Sequence, residues 1–594
     1  MDKHALVEKI KSLEGLTNDE KANLIGLLRS HKKYGLVWED KPEEVEKRLR
    51  DHLPVLTEVK ERAILSNATD APNHILIEGD NLEVLTALSY THEGKIDVIY
   101  IDPPYNTGNK DFIYNDSFVD SEDSYRHSKW LSFMEKRLKI AKRLLSDKGV
   151  IFISIDDNED AQLKLLCDEI FSNRNKVSDI IWQSRKSVSN DTFVSKNHNY
   201  TLVYAKNISI WNKHDFKLPC SNESFENRDN DPRGPWVADP FDAPEIRPNL
   251  TYAIVNPNTG EEFWSPKGRH WRTTEAQYKE FLADNRIVFG KRGTSKPQLK
   301  RFLDFAQSKG ETPTSIWNDI ETTTNGTQLL QTMFDGNKVF SNPKPIGLIE
   351  RILILVGKKS STILDFFAGS GTTLHATMQL NAEDGGNRKC ILVTNNENKI
   401  CEEVTYERNK RVINGYTTPK GEEVEGLKRN TLRYYQTELL SRDRSPRNMR
   451  VLMSAATDLL CIKEDLYTEQ TMFGRYKTHP KALRYFADGK GQQMLVLYRE
   501  EYASEIAEEI KQMDFGKGKL KIYLFSPGRY AFDDEFFEVQ DKVQLVALPA
   551  AIYDAYQRVL PKRKDKLLEL QPAEKSDITE TPTESFSNEE GDAQ

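Results

Sequence analysis

Cysteine is scarce and scattered in this chain of 594 residues. The five, Cys167, Cys220, Cys390, Cys401 and Cys461, lie far apart and form no Cys-x-x-Cys pair. That spacing argues against a disulfide framework and a metal centre. No metal is expected, and a reducing cytoplasm suits this usage. Each cysteine reads as a small buried apolar residue. Long apolar runs are missing as well. No stretch approaches the ~20 residues that span a bilayer, and Met-Asp-Lys-His at the start leads into charged sequence unlike a signal peptide. No membrane partner is expected. No internal repeat is visible, which argues against solenoids and propellers. A positive excess is also lacking: 84 Lys and Arg face 92 Asp and Glu, a net charge of −8.

The average conceals a local pattern. Residues 571–594 carry seven acids, one lysine and almost no large apolar side chain, the composition of a disordered acidic tail. Residues 175–300 hold 19 Lys and Arg against 15 Asp and Glu. A helix expected over Arg126–Ser146 opposes an apolar stripe (Trp130, Phe133, Met134, Leu138, Ala141, Leu145) to Lys129, Lys136, Arg137, Lys139, Lys142 and Arg143. That basic face serves equally as a phosphate contact or as solvated surface. The length exceeds one core, since domains average ~150 residues.

Residues 1–65 read as a helical, charge-rich arm, with Thr17-Asn-Asp-Glu20 as a capping box. Residues 66–175 hold strands expected at 74–78, 96–101 and 150–155 with helices between. From 176 to 335 periodicity weakens while Asn, Asp, Pro, Gly and Trp rise. The loops 231–236, 264–271 and 291–297 mix basic and aromatic side chains, suited to phosphate contact and base readout or, equally, to an irregular domain whose tryptophans are core. Residues 336–430 return to α/β patterning. Residues 431–570 form another α/β unit, with strand-like runs at 493–498 and 520–525, and hold no catalytic cluster. That unit reads as removable from about residue 440 without touching the motifs below.

The first motif is Asp102-Pro103-Pro104-Tyr105. It follows Ile96-Asp-Val-Ile-Tyr-Ile101, a buried strand of parallel type. Two prolines cannot extend a sheet, because they have no amide hydrogen to donate. The chain therefore leaves the sheet there in a rigid, donor-poor loop, at the edge where doubly wound folds bind ligands. Asp102 and the Pro103 carbonyl can each accept a hydrogen bond from an exocyclic amine, and Tyr105 can stack on the ring that bears it. An ordinary turn is the plain alternative.

The second motif is Asp365-Phe366-Phe367-Ala368-Gly369-Ser370-Gly371-Thr372, a strand end, a tight turn and the start of a helix. Glycines let backbone approach a ligand at a helix amino terminus. A P-loop needs a lysine after Gly371, and none is there. A dinucleotide fingerprint wants a third glycine or alanine where Leu374 stands. An S-adenosylmethionine loop needs only the two-glycine turn, with Gly371 beside the methionine moiety. The next strand, 390–394, runs into Glu397, 26 residues after Gly371, near the ~20 expected for an acid that takes ribose hydroxyls.

These stretches resemble the beta class of DNA amino-methyltransferases, in which the DPPY motif precedes the cofactor loop. Here the two are about 260 residues apart. The longer string 102–116, the run 148–157 and Arg433-Tyr-Tyr-Gln436 resemble the modification subunits of Type III restriction–modification systems, over roughly residues 20–440. The resemblance implies a doubly wound, mostly parallel α/β sheet of the S-adenosylmethionine-dependent methyltransferase fold. Its catalytic half would be 66–175, an inserted target-recognition domain 176–335 and its cofactor half 336–430. The C-terminal docking unit would be 431–570. It implies catalytic Asp102, Pro103, Pro104 and Tyr105, and S-adenosylmethionine held by Asp80, Lys344, Pro345, Asp365, Phe367, Ala368, Gly369, Ser370, Gly371, Thr372 and Glu397. In this resemblance Asp80 contacts the cofactor adenine, and Ser341–Pro345 closes over its methionine end. It also implies double-stranded DNA as substrate, adenine N6 as target, a homodimer, and a helicase–nuclease restriction subunit as partner. Cytosine N4 remains open on physical grounds. So do a stand-alone DNA methyltransferase, an RNA or protein-glutamine methyltransferase, and an idle DNA-specificity subunit, the last two disfavoured by motif order and by the intact motifs.

Overall fold

The computed structural model describes residues 37–561 except Lys110, Asp116, Lys213 and Lys517, with a few positions between 9 and 21. The expected acidic tail lies outside the described residues, as does most of the expected N-terminal arm. Thr17 and Glu20 do form the reciprocal pair: the Thr17 amide and hydroxyl donate to Glu20 Oε2 at 2.8 Å each, and the Glu20 amide donates back to Thr17 Oγ1 at 3.3 Å.

Ten strands make the main sheet. In chain order they are β1 (His52–Glu58), β2 (Asn73–Glu78), β3 (Ile96–Ile101), β4 (Leu145–Ile155), β5 (Lys176–Trp182), β6 (Asn199–Ala205), β7 (Ile316–Trp317), β8 (Thr362–Asp365), β9 (Lys389–Thr394) and β10 (Thr431–Ser441). They lie in the order β1-β10-β2-β9-β8-β3-β4-β6-β5-β7. Eight run one way; β1 and β6 oppose them. The central strands are apolar on both faces because both faces are covered. Along β3, Ile99 and Ile101 enter one core while Val98 and Tyr100 enter the other.

The helices that cover the sheet are α1 (Glu44–Asp51), α2 (Asn81–Thr91), α3 (Arg126–Leu144), α4 (Ile346–Val356), α5 (Thr372–Asp384), α6 (Glu407–Asn414), α7 (Pro446–Glu464) and α8 (Ala550–Gln557). Side chains of α2, α3, α7 and α8 fill the first core; those of α4, α5 and α6 fill the second. β3 continues through α3 to β4 on one side, and β8 through α5 to β9 on the other. Adjacent parallel strands with diverging connections are a topological switch point.

The sheet takes in more chain than the resemblance implies. β1 comes from the expected arm, β5, β6 and β7 from the expected target-recognition domain, and β10 from the expected docking unit. Strand patterning identifies a strand without its neighbour, so these assignments followed sequence position instead of pairing. What remains of the insertion, about 207–315, builds a small core of Phe241, Ile254, Trp271, Tyr278, Ile287 and Phe289. Trp182, Trp236, Trp271 and Trp317 are buried, whereas Trp264 is exposed. Asp231, in a loop expected to contact DNA, is instead buried against Arg233 and Lys300. All five cysteines are buried. Among the described residues no helix is long and apolar enough to cross a membrane.

The C-terminal unit has its own five-stranded sheet, including Gln493–Leu497 and Leu520–Phe525. Leu495, Leu497, Ile522 and Leu524 face a separate core, while Met494, Val496, Tyr523 and Phe525 join the first core of the main sheet. The Tyr556 hydroxyl donates to the Pro54 carbonyl at 2.7 Å. The unit is therefore not removable. Truncation after Asp443 strips Met449, Leu452, Met453, Leu459, Leu460, Ile552 and Tyr556 from the core. At about 1.5–3 kcal/mol per fully buried side chain, these come to about 10–20 kcal/mol, which matches or exceeds the ~5–15 kcal/mol that holds a domain folded. The truncated chain should be insoluble or lack a cooperative calorimetric transition; a soluble fragment melting like the full chain contradicts this packing.

Candidate active site at the switch point

A cleft of about 550 Å³ opens at the carboxyl ends of β3 and β8, within the ~300–1,000 Å³ of small-molecule sites. Its floor is aromatic: Phe340, Phe366 and Phe367, with Phe112 and Phe133 beside them. Phe133 lies 5.8 Å from Phe367 and 5.2 Å from Phe112 between ring centroids. Its walls carry six carboxylates, Glu43, Glu44, Asp80, Asp102, Asp111 and Glu397, against two guanidiniums, Arg48 and Arg137. An acid-rich cleft with aromatic faces suits a flat, cationic ligand.

The Asp102–Tyr105 loop is held from several sides. Trp130 Nε1 donates to the Pro104 carbonyl at 2.7 Å. Asn106, buried and at φ 57°, donates through Nδ2 to Glu159 at 2.6 Å, and His127 Nδ1 meets the same carboxylate oxygen at 2.7 Å. The Asn106 amide, one of the few side chains that tolerate the left-handed region, thus fixes the exit of the loop. The Tyr105 hydroxyl donates to Asp102 Oδ1 at 2.8 Å, and Lys344 Nζ donates to Oδ2 at 2.5 Å. Lys344 also lies 5.2 Å from the Tyr105 ring centroid. Each Asp102 oxygen keeps a second lone pair for another donor.

The expected cofactor residues divide into two groups. Asp80, Phe367, Gly369 and Glu397 line the cleft, together with Asp102 and Pro104 of the catalytic motif. The Asp80 carboxylate also caps α2, accepting from the Leu82 amide at 2.7 Å, and stands 3.8 Å from Arg137. Pro103 of the catalytic motif and Pro345, Asp365, Ala368, Ser370, Gly371 and Thr372 of the cofactor set are largely buried beside the cleft. Lys344, expected over the methionine end, is bonded to Asp102. Asp365 accepts from the Phe367 amide at 3.0 Å and the Thr373 hydroxyl at 2.5 Å, an arrangement that shapes the turn. Gly371, at φ 76°, leaves no room for a side chain: an added Cβ would lie 2.4 Å from Asn409 Nδ2 and 3.1 Å from Thr405 Cγ2. Thr405 Oγ1 donates to the Gly369 carbonyl at 2.6 Å, so the segment leading into α6 braces the turn from outside.

A family model described as DNA methylase matches residues 96–414, which contain both motifs. The chain belongs to the DNA methylase family. The Type III restriction-modification enzyme StyLTI Mod subunit of Salmonella typhimurium is 38% identical over 371 residues, covering 57% of this methylase and 55% of that protein. The EcoPI Mod subunit of Escherichia phage P1 is 33% identical over 429 residues, covering 62% and 64%. The Type II methyltransferase M.KpnI of Klebsiella pneumoniae is 33% identical over 382 residues, covering 59% of this chain and 87% of that one. The methylase thus aligns with between half and two thirds of the length of these two Mod subunits.

Several cleft residues escaped sequence reasoning. Arg137, expected on the basic face of α3, is 1% exposed. It donates to Asn81 Oδ1 and Glu43 Oε1 at 2.5 and 2.9 Å and covers the Phe133 ring at 3.6 Å. Asn81 in turn donates to the Phe366 carbonyl at 3.3 Å, linking the two halves of the site. The signal was the i, i+4 spacing of Phe133 and Arg137, which an exposed lysine would have shared. Arg408 is buried under the turn, where it donates to the Ser370 and Thr372 hydroxyls at 3.0 and 2.7 Å; burial lowers its pKa to about 9. Among the described residues no cluster of His, Cys, Asp and Glu converges as a metal site.

Two predictions follow from the turn. Gly371→Val combines a left-handed penalty of ~1–2 kcal/mol with overpacking of ~1–3 kcal/mol. Urea denaturation should show a loss of about 2–5 kcal/mol, while ligand affinity of the folded protein changes little. Unchanged stability with lost affinity would place Gly371 in the cleft after all. Burial lifts the Asp365 carboxyl to about 7 from its ordinary 3.8. A raised folded-state pKa means stability present below the unfolded value and lost as pH rises through about 7. Asp365→Asn should therefore gain stability relative to the parent as pH rises through about 7. A difference independent of pH contradicts the buried carboxyl.

Proposed function

We propose that this methylase transfers a methyl group from S-adenosylmethionine to adenine N6 in double-stranded DNA. We infer further that it acts in the cytoplasm as the modification and recognition subunit of a Type III restriction–modification system. The observation that carries the reaction is Asp102, which lines the acid-rich cleft together with Gly369 of the glycine turn and is held by the Tyr105 hydroxyl and Lys344. The relatives named as Mod subunits support the Type III assignment. On that reading the chain forms a homodimer and recruits a helicase–nuclease restriction subunit.

The cleft fits the cofactor in kind: Phe340 and Phe367 offer faces for a flat ring, Glu397 and Asp80 offer acceptors for hydroxyls and amines, and the carboxylate excess suits a sulfonium. S-adenosylmethionine supplies the methyl group. The protein supplies placement. An adenine inside a duplex hides its amine, so the base is turned out at a cost of a few kcal/mol. Asp102 and the Pro103 carbonyl accept the two amine hydrogens and direct the nitrogen lone pair into the cleft. The Tyr105 ring stacks on the base, and its hydroxyl, with Lys344, holds the Asp102 carboxylate in position. The attacking nitrogen loses its proton to solvent, so no strong base is required; orientation and exclusion of water do most of the work.

The test is incubation of unmethylated DNA with labelled cofactor, followed by nucleoside analysis. N6-methyladenine is expected; N4-methylcytosine would overturn the choice of base, and no transfer would overturn the activity. Asp102→Ala should lower the rate by about 10²–10³-fold or more, the scale of losing one preorganised contact, with cofactor binding nearly intact. Tyr105→Phe should lower it less but measurably, because it removes one of the two anchors of Asp102. Parallel loss of rate and cofactor affinity in Asp102→Ala would move Asp102 out of the base pocket.

A further inference from the structure

The hairpin loop between β5 and β6 plays no part in the chemistry above. β6 runs antiparallel to β4, with Tyr200 opposite Ile155, so the loop stands on the carboxyl edge of the sheet that carries Asp102–Tyr105. Its stem is tied to that site. Asn199 Nδ2 donates to the Tyr105 hydroxyl at 3.4 Å, the Tyr200 hydroxyl donates to Asp157 at 3.1 Å, and Lys196 pairs with Asp157 at 3.1 Å. Its tip is closed by the Ser189 amide on the Ser195 hydroxyl at 2.9 Å. On that tip Val188, Phe193 and Val194 are 70%, 110% and 78% exposed, and Arg185 and Lys186 on the ascending limb are exposed too. Full burial of a phenylalanine is worth roughly 1.5–3 kcal/mol. Phe193 forgoes that here, on a stem anchored to the residue that receives the base.

We propose that Phe193 is the wedge that enters the duplex where the target base leaves, while Arg185 and Lys186 meet the flanking phosphates. The inference rests on the reading of this chain as a base-flipping DNA methyltransferase. A base turned out leaves a gap whose neighbours have lost a stacking partner. An apolar side chain inserted at a base step fills such a gap, and an aromatic ring stacked on a base contributes about 1–3 kcal/mol. Val188 and Val194 extend the apolar tip on either side of the ring. The cations behind it match the polyanionic backbone that a wedge must straddle, which a hydrophobic protein partner would not require.

The experiment uses the full chain and its recognition site, located first by sequencing methylated bases. Single-turnover methylation is measured on the matched duplex and on the same duplex with an abasic position opposite the target, which reduces the cost of flipping. Phe193→Ala should be slowed about tenfold or more on the matched duplex, as a lost stacking contact implies, and should recover to near the parental rate on the abasic one. Phe193→Trp should retain most of the matched rate. Equal slowing on both duplexes, or no slowing on either, overturns the wedge; the latter is the outcome expected if a protein partner covers the tip. A parent chain that methylates neither duplex overturns the proposed function and the wedge with it. Because Phe193 is fully exposed, an unchanged melting temperature of the variant verifies that folding is not the cause.

Discussion

β3 and β8 lie side by side, Val98 opposite Ile363 and Ile99 opposite Leu364, yet the chain leaves them in opposite directions. That divergence is the constraint on which the site depends. Among the described residues no crossover helix fills the space above their carboxyl ends, so a crevice remains between two loops that the sheet itself holds rigid. One loop carries Asp102 and the other carries Phe367 and Gly369. A short ion pair, Lys344 to Asp102, bridges residues 242 apart in sequence. A carboxylate fixed by two donors loses little further freedom when it receives a substrate, which is the advantage of preorganisation.

The electrostatics of the cleft and of its surroundings differ in sign. Inside, carboxylates outnumber cations, and the buried Arg137 is satisfied by Glu43, Asn81 and the face of Phe133. A polyanionic duplex gains nothing from such walls. The cations available to phosphate stand outside, on the β5–β6 loop and on the insertion, so the net charge of −8 says little about what the surface near the site can bind. Part of the basic helix α3 is also spent internally: Lys136 pairs with Glu46 of α1 at 2.6 Å. The stretch that leads into α1 thereby covers one side of the cleft, joined to the loop after Tyr105 through Asn115, which accepts from the Glu44 amide at 2.8 Å.

The flanking units are part of the fold and not attachments to it. β1 pairs along its whole length with β10, so the beginning and the end of the main sheet stabilise one another. α7 and α8 cover the face that α2 and α3 leave open, and one side of the C-terminal sheet shares their core. A sheet edge without β1 would expose unpaired amides and carbonyls, and a sheet face without α7 would expose isoleucines and valines. Folding of the catalytic halves is thus coupled to segments that carry no catalytic group.

The sequence by itself determined the central strands and helices, because apolar runs such as 96–101 and 390–394 and the stripe of 126–146 have only one stable use. It determined the two motifs as well: paired prolines after a buried strand, and a two-glycine turn before a helix, are local consequences of missing donors and missing Cβ atoms. Six of the expected residues, Asp80, Asp102, Pro104, Phe367, Gly369 and Glu397, line the cleft for that reason. Tertiary structure alone decided the rest. Strand partners far apart in sequence brought β1, β5, β6, β7 and β10 into the main sheet. Proximity across 242 residues gave Lys344 to Asp102, and α6 packs Asn409 against Gly371. Burial changed Arg137 from an apparent surface group into a support, and it enclosed Asp365. Each depends on which element is the spatial neighbour, and periodicity within a single element carries no record of that.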